Sequence, residues 1–304
     1  MERSIFHTAE KSRQKDKIMK LVTDAAANLT IEKAAELGVE VVPFQVTFMG
    51  KTYKDGKDFL PADLYRMYIE NPNEFVSTSQ PSVGDFVEAY NKIGDEEILS
   101  VHLSSGLSGS YSSAEHAARM VSNPNITVVD SFTVGPALGW MVEVAARGIK
   151  LGWSKERILA AMQQVKENTI TMVSFSDMKY LTHSGRINHL KGIFGSLLKI
   201  KPIIGMNKDD GRYYNVGQDM TVSRAIQKMV SKVQERFGNQ KLRVQLMHGS
   251  NLPDLEKLRS VLHGMMNAVE DQLVTVTLVL GAHAGPTVIG LAAAPQSIFD
   301  NIFA

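Results

Sequence analysis

Ile98-Leu99-Ser100-Val101-His102-Leu103 runs directly into Ser104-Ser105-Gly106-Leu107-Ser108-Gly109-Ser110, and this stretch decides how the chain is read. The first six residues have strand length and apolar character, and Ser110 to Val121 has the spacing of an amphipathic helix. A strand, a Gly/Ser loop and a helix together gather backbone N–H groups around an anion at a helix N-terminus. In open α/β sheets ligands settle at the carboxyl ends of strands, where this loop falls. It is not a P-loop, because no Gly-Lys-Ser/Thr follows. It is not a nucleophile elbow, because Ser110 replaces the last glycine of G-x-S-x-G. The plain alternative is a tight βα turn that needs glycine for packing, although Ser104, Ser105, Ser108 and Ser110 are more hydroxyls than a turn requires.

Outward from this stretch, strands and helices alternate. Lys17 to Val22, Ile98 to Leu103 and Ile126 to Val129 read as strands. Helices are expected at Ile31 to Leu37 behind a Thr30 cap, at Val83 to Ile93 behind Ser82, at Gly135 to Arg147, and from Ser154 to about Asn168. That alternation predicts a parallel sheet covered on both faces. The later residues differ. Ile203 to Met206 and Arg212 to Asn215 bracket the turn Lys208-Asp209-Asp210-Gly211, a hairpin signal. Short helices are expected at Met178 to Thr182 and Ile193 to Leu198, and a long one from Thr221 to Phe237. Leu242 to Met247, Leu273 to Leu280 and Val288 to Ala294 read as strands around a helix at Pro253 to Met265. The expected fold class is therefore α/β in two domains, a parallel-sheet α/β/α domain over 17–167 and a mixed-sheet α+β domain over 168–304, after a polar extension over 1–16.

Composition narrows the function classes. The 304 residues carry 33 Lys+Arg against 32 Asp+Glu, a net charge of +1, so no basic excess argues for nucleic acid. Cysteine is absent, which excludes disulfides, thiolate metal sites and a cysteine nucleophile. The polar start lacks the apolar core of a signal peptide, and no run reaches the ~18 apolar residues of a membrane span, so a cytoplasmic protein that does not span a membrane is expected. The Asn28-Leu29-Thr30 sequon is then chance. The 15 methionines read as core filler or as a pliable wall around a flexible apolar ligand.

Three further segments carry chemistry. Ser77-Thr78-Ser79-Gln80-Pro81-Ser82 places hydroxyls just before a helix start, either as a capping loop or as neutral donors to an anion. His183-Ser184-Gly185-Arg186-Ile187 offers either a solvated cation or a fixed guanidinium facing a carboxylate or phosphate. Gly281-Ala282-His283-Ala284-Gly285-Pro286 places a histidine among small residues, as a structural group or as a ligand contact. No metal-ligand spacing, HExxH or GxGxxG is present, so neither metal nor cofactor is expected. Asp24 and Asp130 each end a strand, where helix capping is the simpler role than acid–base work. Hydroxyls, one Arg and one His, with no evident base for a nucleophile, suit binding a carboxylate better than hydrolysis, so no catalytic residue is assigned.

At these residues the sequence resembles the DegV family, also called EDD-fold proteins. The series runs in order from Val22-Thr23-Asp24 through Thr78-Ser79-Gln80-Pro81, His102-Leu103-Ser104-Ser105-Gly106-Leu107-Ser108-Gly109 and Val129-Asp130-Ser131. It continues through Gly185-Arg186-Ile187, Lys199-Ile200-Lys201-Pro202 and Ala282-His283-Ala284-Gly285. The resemblance implies a carrier that holds a long-chain fatty acid in an interdomain tunnel, similar to the binding subunit of bacterial fatty-acid kinase. There an ATP-binding kinase subunit phosphorylates the acyl carboxylate, and the acyl phosphate feeds phospholipid synthesis. Carried over by residue, Thr78 and Ser108 hydrogen-bond the carboxylate, Arg186 and His283 are positively charged partners at the same mouth, and Ser79, Ser105, Gly106 and Gly109 form the supporting loops. The sequence departs from the family pattern at Ala25 and Ser184, and at Met220, where an arginine linked to kinase docking commonly stands; Arg224 lies one helical turn on. Two alternatives stay open: a serine hydrolase using Ser108 with His283, and a lipid carrier or sensor that acts without a kinase.

Overall fold

A computed structural model describes residues 19–56, 58–190 and 200–304. The extension expected over 1–16 and the helix expected at Ile193 to Leu198 lie outside the described residues.

The first half contains strands β1 (Lys20–Asp24), β2 (Val39–Val42), β3 (Gln45–Phe48), β4 (Lys51–Lys54), β5 (Ser77–Ser79), β6 (Ile98–His102) and β7 (Ile126–Asp130). Its helices are α1 (Ile31–Leu37), α2 (Pro61–Glu70), α3 (Val83–Ile93), α4 (Ser110–Met120), α5 (Pro136–Lys150) and α6 (Lys155–Asn168). The expected parallel sheet forms in the order β2-β1-β6-β7. The anticipated caps are made: Thr30, Ser82 and Ser154 hydroxyl oxygens accept from Lys33, Asp85 and Arg157 N–H. Helix α5, short of charge in sequence, is buried along nearly its whole length. The Asn28 of the sequon is buried as well.

A small antiparallel sheet, β4-β3-β5, was not anticipated. The apolar stretch Val39 to Met49 breaks into β2 and β3, and β3 pairs with both β4 and β5. Thr78 therefore sits within a strand, opposite Val46, and not in a loose capping loop.

The second half contains β8 (Ile170–Ser174), α7 (Lys179–Ser184), β9 (Lys201–Met206), β10 (Tyr213–Asp219), α8 (Val222–Phe237), β11 (Leu242–His248), α9 (Leu252–Met265), β12 (Ala268–Glu270) and β13 (Val274–Thr275). The helix α10 (Leu278–Ala284), β14 (Ile289–Pro295) and α11 (Gln296–Phe303) complete it. The sheet is mixed, in the order β10-β9-β8-β14-β11-β12 with β13 also on β11. The β9–β10 hairpin forms as expected, with a bulge between Asn215 and Gly217.

One expectation fails. Leu273 to Leu280 is not a strand. Only Val274–Thr275 is extended, and α10 begins at Leu278. The reason is long-range capping. Asn28 Oδ1 accepts from Thr277 N–H at 2.7 Å, and Asp55 Oδ2 accepts from Val279 N–H at 2.9 Å. These satisfy N–H groups that a helix start leaves without partners. Tyr68 hydroxyl donates to Ala282 O (3.0 Å) near the other end. The helix belongs to the second half but is held by side chains of the first.

The two halves meet elsewhere too. The Ser104 hydroxyl donates to Gly211 O (2.7 Å), which ties the Ser/Gly loop to the β9–β10 turn. The approach is so close that a Cβ on Gly106 would lie 2.5 Å from Asp210 O. Arg243 in β11 binds both Glu143 of α5 (2.6 Å) and Asp271 (2.8 Å), with its guanidinium over the Trp140 and Phe299 rings. Most of the buried methionines pack in the cores: Met141 and Met162 in one cluster, Met229 and Met266 in another.

Candidate functional site

Between the sheets lies a cavity of about 790 Å³, within the roughly 300–1,000 Å³ usual for ligand pockets. Its floor follows from strand register. Ile204, Val173, Gly290 and Met247 stand opposite one another across β9, β8, β14 and β11. Side chains alternate along a strand, so Thr171, Val173 and Phe175 share the face that looks into the cavity. Phe44, Leu103, Val134 and Leu280 close the opposite wall. Only Met206 and Met247 of the methionines line it, so the methionine content serves mainly the cores.

The polar groups gather in this same cavity. Thr78 and Ser79 come from β5, Gly106, Ser108 and Gly109 from the Ser/Gly loop, Arg186 from the turn after α7, and His283 from the last turn of α10. Residues more than 200 positions apart in the chain meet: Thr78 Oγ1 and His283 Nε2 are 2.7 Å apart. Gly185 takes a left-handed backbone (φ 76°) that ends α7 and turns Arg186 inward.

Arg186 has an unusual position. One of its N–H groups donates to Ser184 O at 2.6 Å. Burial pulls the group below its usual value, and Tyr213 opposes that pull. An arginine keeps its charge in such a place. Among the described residues no carboxylate pairs with it, so a half-buried cation at the polar end of the cavity wants an anion. Arg186 in turn acts on His283. Burial first, then the Arg186 charge, push the imidazole down to about 3. At that value His283 is neutral near pH 7, whereas the resemblance implies a positively charged partner. A neutral ring with Nε2–H can donate to Thr78, which frees the Thr78 proton for a ligand.

The Ser/Gly loop is also less open than a phosphate cradle. The Ser105 N–H donates to Asp130, the Gly106 N–H to Ser104 Oγ, and the Leu107 and Ser108 N–H groups to Ser104 O. The Ser110 N–H donates to Ser108 Oγ at 3.3 Å. The loop thus uses its N–H groups to hold its own shape, and Ser108 contributes mainly its hydroxyl. Ser105 is exposed and does not line the cavity, so its expected supporting role reduces to anchoring the loop on Asp130. A Ser108–His283 hydrogen bond, which a hydrolase would need, is not made; His283 engages Thr78 instead. Asp24 and Asp130 do not form an acid–base pair: Asp24 is fully buried and Asp130 caps the loop.

Two contributors were not anticipated. Arg212 and Tyr213, just past the hairpin turn, line the cavity, and burial pushes the Tyr213 hydroxyl up to about 12. Arg212 adds an exposed cation beside the mouth. The turn signal next to it gave its place in the hairpin but not which way it faces. His183, part of the quoted motif, stays outside and stacks on Phe75 (4.0 Å). No group of three or more His, Cys, Asp or Glu among the described residues could hold a metal ion. No helix among them is long and apolar enough to cross a membrane.

The chain is similar to known proteins along most of its length. The family model described as "Uncharacterised protein, DegV family COG1307" matches residues 18–296. A DegV domain-containing protein of Staphylococcus aureus (strain N315) is 33% identical over 274 residues, covering 89% of this chain and 96% of the relative. A solved DegV family protein from Thermus thermophilus, described by its fatty-acid binding, superposes with a TM-score of 0.81 at 27% identity, covering 91% of this chain and 99% of that one. DegV of Bacillus subtilis, described as a fatty acid binding protein, gives 0.81 at 26% identity, covering 92% and 100%.

Proposed function

This chain belongs to the DegV family, and from that premise we propose that it binds one long-chain fatty acid, with the acyl chain in the cavity and the carboxylate at its polar end. The observation that carries the reading is the Arg186 charge, without a carboxylate partner among the described residues, at the polar end of a cavity whose floor is apolar. Each CH₂ of an acyl chain that leaves water contributes about 0.8 kcal/mol, which a floor of Val173, Ile204 and Met247 can accept. The carboxylate needs donors in compensation. Thr78 and Ser108 hydroxyls and the Arg186 guanidinium are those donors, with His283 holding Thr78. A carboxylate beside His283 favours its protonated form, which opposes the downward push of burial and Arg186.

The second part of the proposal is presentation. The carboxylate end lies among exposed residues such as Ser79 and Arg212, where a separate ATP-binding fatty-acid kinase subunit could reach it. Met220 is exposed at the start of α8 in place of the arginine common in relatives, with exposed Arg224 four residues on. Docking would then depend on Arg224.

Native mass spectrometry of the purified chain, followed by lipid extraction, tests the binding. One fatty acid per chain, lost in a Thr78→Ala/Ser108→Ala double variant, is the expected result. A clean apo mass that also refuses added palmitate and oleate would overturn it. ATP-dependent acyl-phosphate formation with a cognate kinase, weakened by Arg224→Ala, tests the presentation.

A further inference from the structure

Behind the Ser108 loop lies a buried polar chain that does not touch the cavity. Asp24 ends β1 and is fully buried. Its Oδ1 accepts from Ala26 N–H (3.1 Å). Its Oδ2 accepts from Leu103 N–H (3.1 Å) and from the Ser110 hydroxyl (2.8 Å), and it lies 3.1 Å from His102 Nδ1. A carboxylate only accepts, so Nδ1 is the nitrogen of His102 that carries the proton. His102 Nε2 then accepts from the Ser100 hydroxyl at 2.6 Å, and the Ser100 oxygen accepts from the Tyr90 hydroxyl at 2.8 Å. Every proton points the same way, from Tyr90 through Ser100 and His102 to Asp24. All four side chains are buried, so the chain does not meet substrate despite its likeness to a catalytic relay.

Its placement gives it another task. Leu103 and Ser110 stand immediately before and after residues 104–109, so one carboxylate oxygen holds both ends of the loop that carries Ser108. Ser110 extends the effect inward. While its hydroxyl donates to Asp24, its N–H donates to Ser108 Oγ. That bond occupies a Ser108 lone pair and leaves the Ser108 proton as the part of the hydroxyl free to donate into the cavity.

We propose that Asp24, oriented by His102, is a positioning residue that sets the Ser108 hydroxyl as a donor to the ligand headgroup, and so selects carboxylates over neutral lipids of the same length. This rests on the fatty-acid reading above. Asp24→Asn keeps the size but loses the charge and one of the two acceptor oxygens, so the donors at Ala26, His102, Leu103 and Ser110 must share a single acceptor beside a new NH₂ group.

Affinities for palmitate and for hexadecanol, measured by calorimetry on the full chain and on Asp24→Asn, test the assignment. The wild type should prefer palmitate. The variant should lose at least about tenfold in palmitate affinity, the scale of one hydrogen bond to a charged group, while hexadecanol binding stays within about twofold. An unchanged palmitate-to-hexadecanol ratio, or equal losses for both, would overturn the positioning role. If Asp24→Asn does not fold, Ser110→Ala removes the hydroxyl that ties the loop to Asp24 while keeping the N–H that meets Ser108, and should lower the same ratio; an unchanged ratio there counts equally against it. A wild type that binds neither lipid overturns the fatty-acid reading itself, and this inference with it.

Discussion

Asp55 should make the protein less stable as pH rises across the neutral range. It sits in the turn after β4, buried, with its carboxylate on the Val279 N–H at the start of α10. Burial raises its pKa from 3.8 to about 7, against the opposing pull of the Val279 and Leu278 backbone donors. Its neighbour Tyr65 is itself pushed up by burial and stays neutral throughout. Folding therefore raises the Asp55 pKa. Between about pH 4 and 7 the folded chain keeps a proton that the unfolded chain has released. The resulting stabilisation is fully present below pH 4 and is lost as pH rises through 7. A shift of about 3 units at 1.36 kcal/mol each sets an upper bound of about 4 kcal/mol. That is a large part of the roughly 5–15 kcal/mol that holds a typical domain. Asp55→Asn mimics the protonated acid at nearly the same volume. In urea denaturation from pH 4 to 8.5, the variant should match the wild type at the acid end and become more stable than it by up to about 4 kcal/mol at the alkaline end. Taking the difference between the two proteins cancels all other titrating groups. A difference that stays flat across that range would refute the argument.

Gly106→Ala would put a methyl 2.5 Å from Asp210 O and 2.7 Å from Gly211 C, both backbone atoms that cannot rotate away. It should destabilise by about 1–3 kcal/mol in thermal denaturation, the usual scale of overpacking. Glu143→Ala leaves Arg243, between the Trp140 and Phe299 rings, with Asp271 as its carboxylate partner among the described residues, and should cost about 1.5–3 kcal/mol in chemical denaturation.

The fold was legible where local rules and tertiary structure agreed. The parallel sheet, the Thr30, Ser82 and Ser154 caps and the β9–β10 hairpin follow from spacing and turn chemistry alone. Leu278 to Ala284 did not, because Leu-Val-Leu is as suited to a strand as to a helix. What decides it are Asn28 and Asp55, 249 and 224 positions away from the N–H groups they cap. The site divides in the same way. Thr78, Ser108, Arg186 and His283 could be picked out because small polar residues beside glycine have few packing reasons to be there. The charge on His283 could not, since it is set by burial and by Arg186. The use made of the loop N–H groups depends on Ser104 and Asp130. Asp24 read as a simple cap because three of its four donors, at His102, Leu103 and Ser110, come from the neighbouring strand β6 and the loop and helix after it, about 80 positions along the chain.

The polar mouth is shared between the two halves: Thr78 and Ser108 hang from the first, Arg186 and His283 from the second. An occupant that touches all four is thermodynamically a rivet. Its binding energy is also cohesion between the halves, growing as RT ln(1 + [L]/Kd), about 2.7 kcal/mol when the ligand stands at a hundred times its Kd. Purified with and without lipid, the chain should then melt as two materials, the filled one held across the joint and the empty one relying on Ser104, Asp55, Asn28 and the Arg243 cluster to keep it shut.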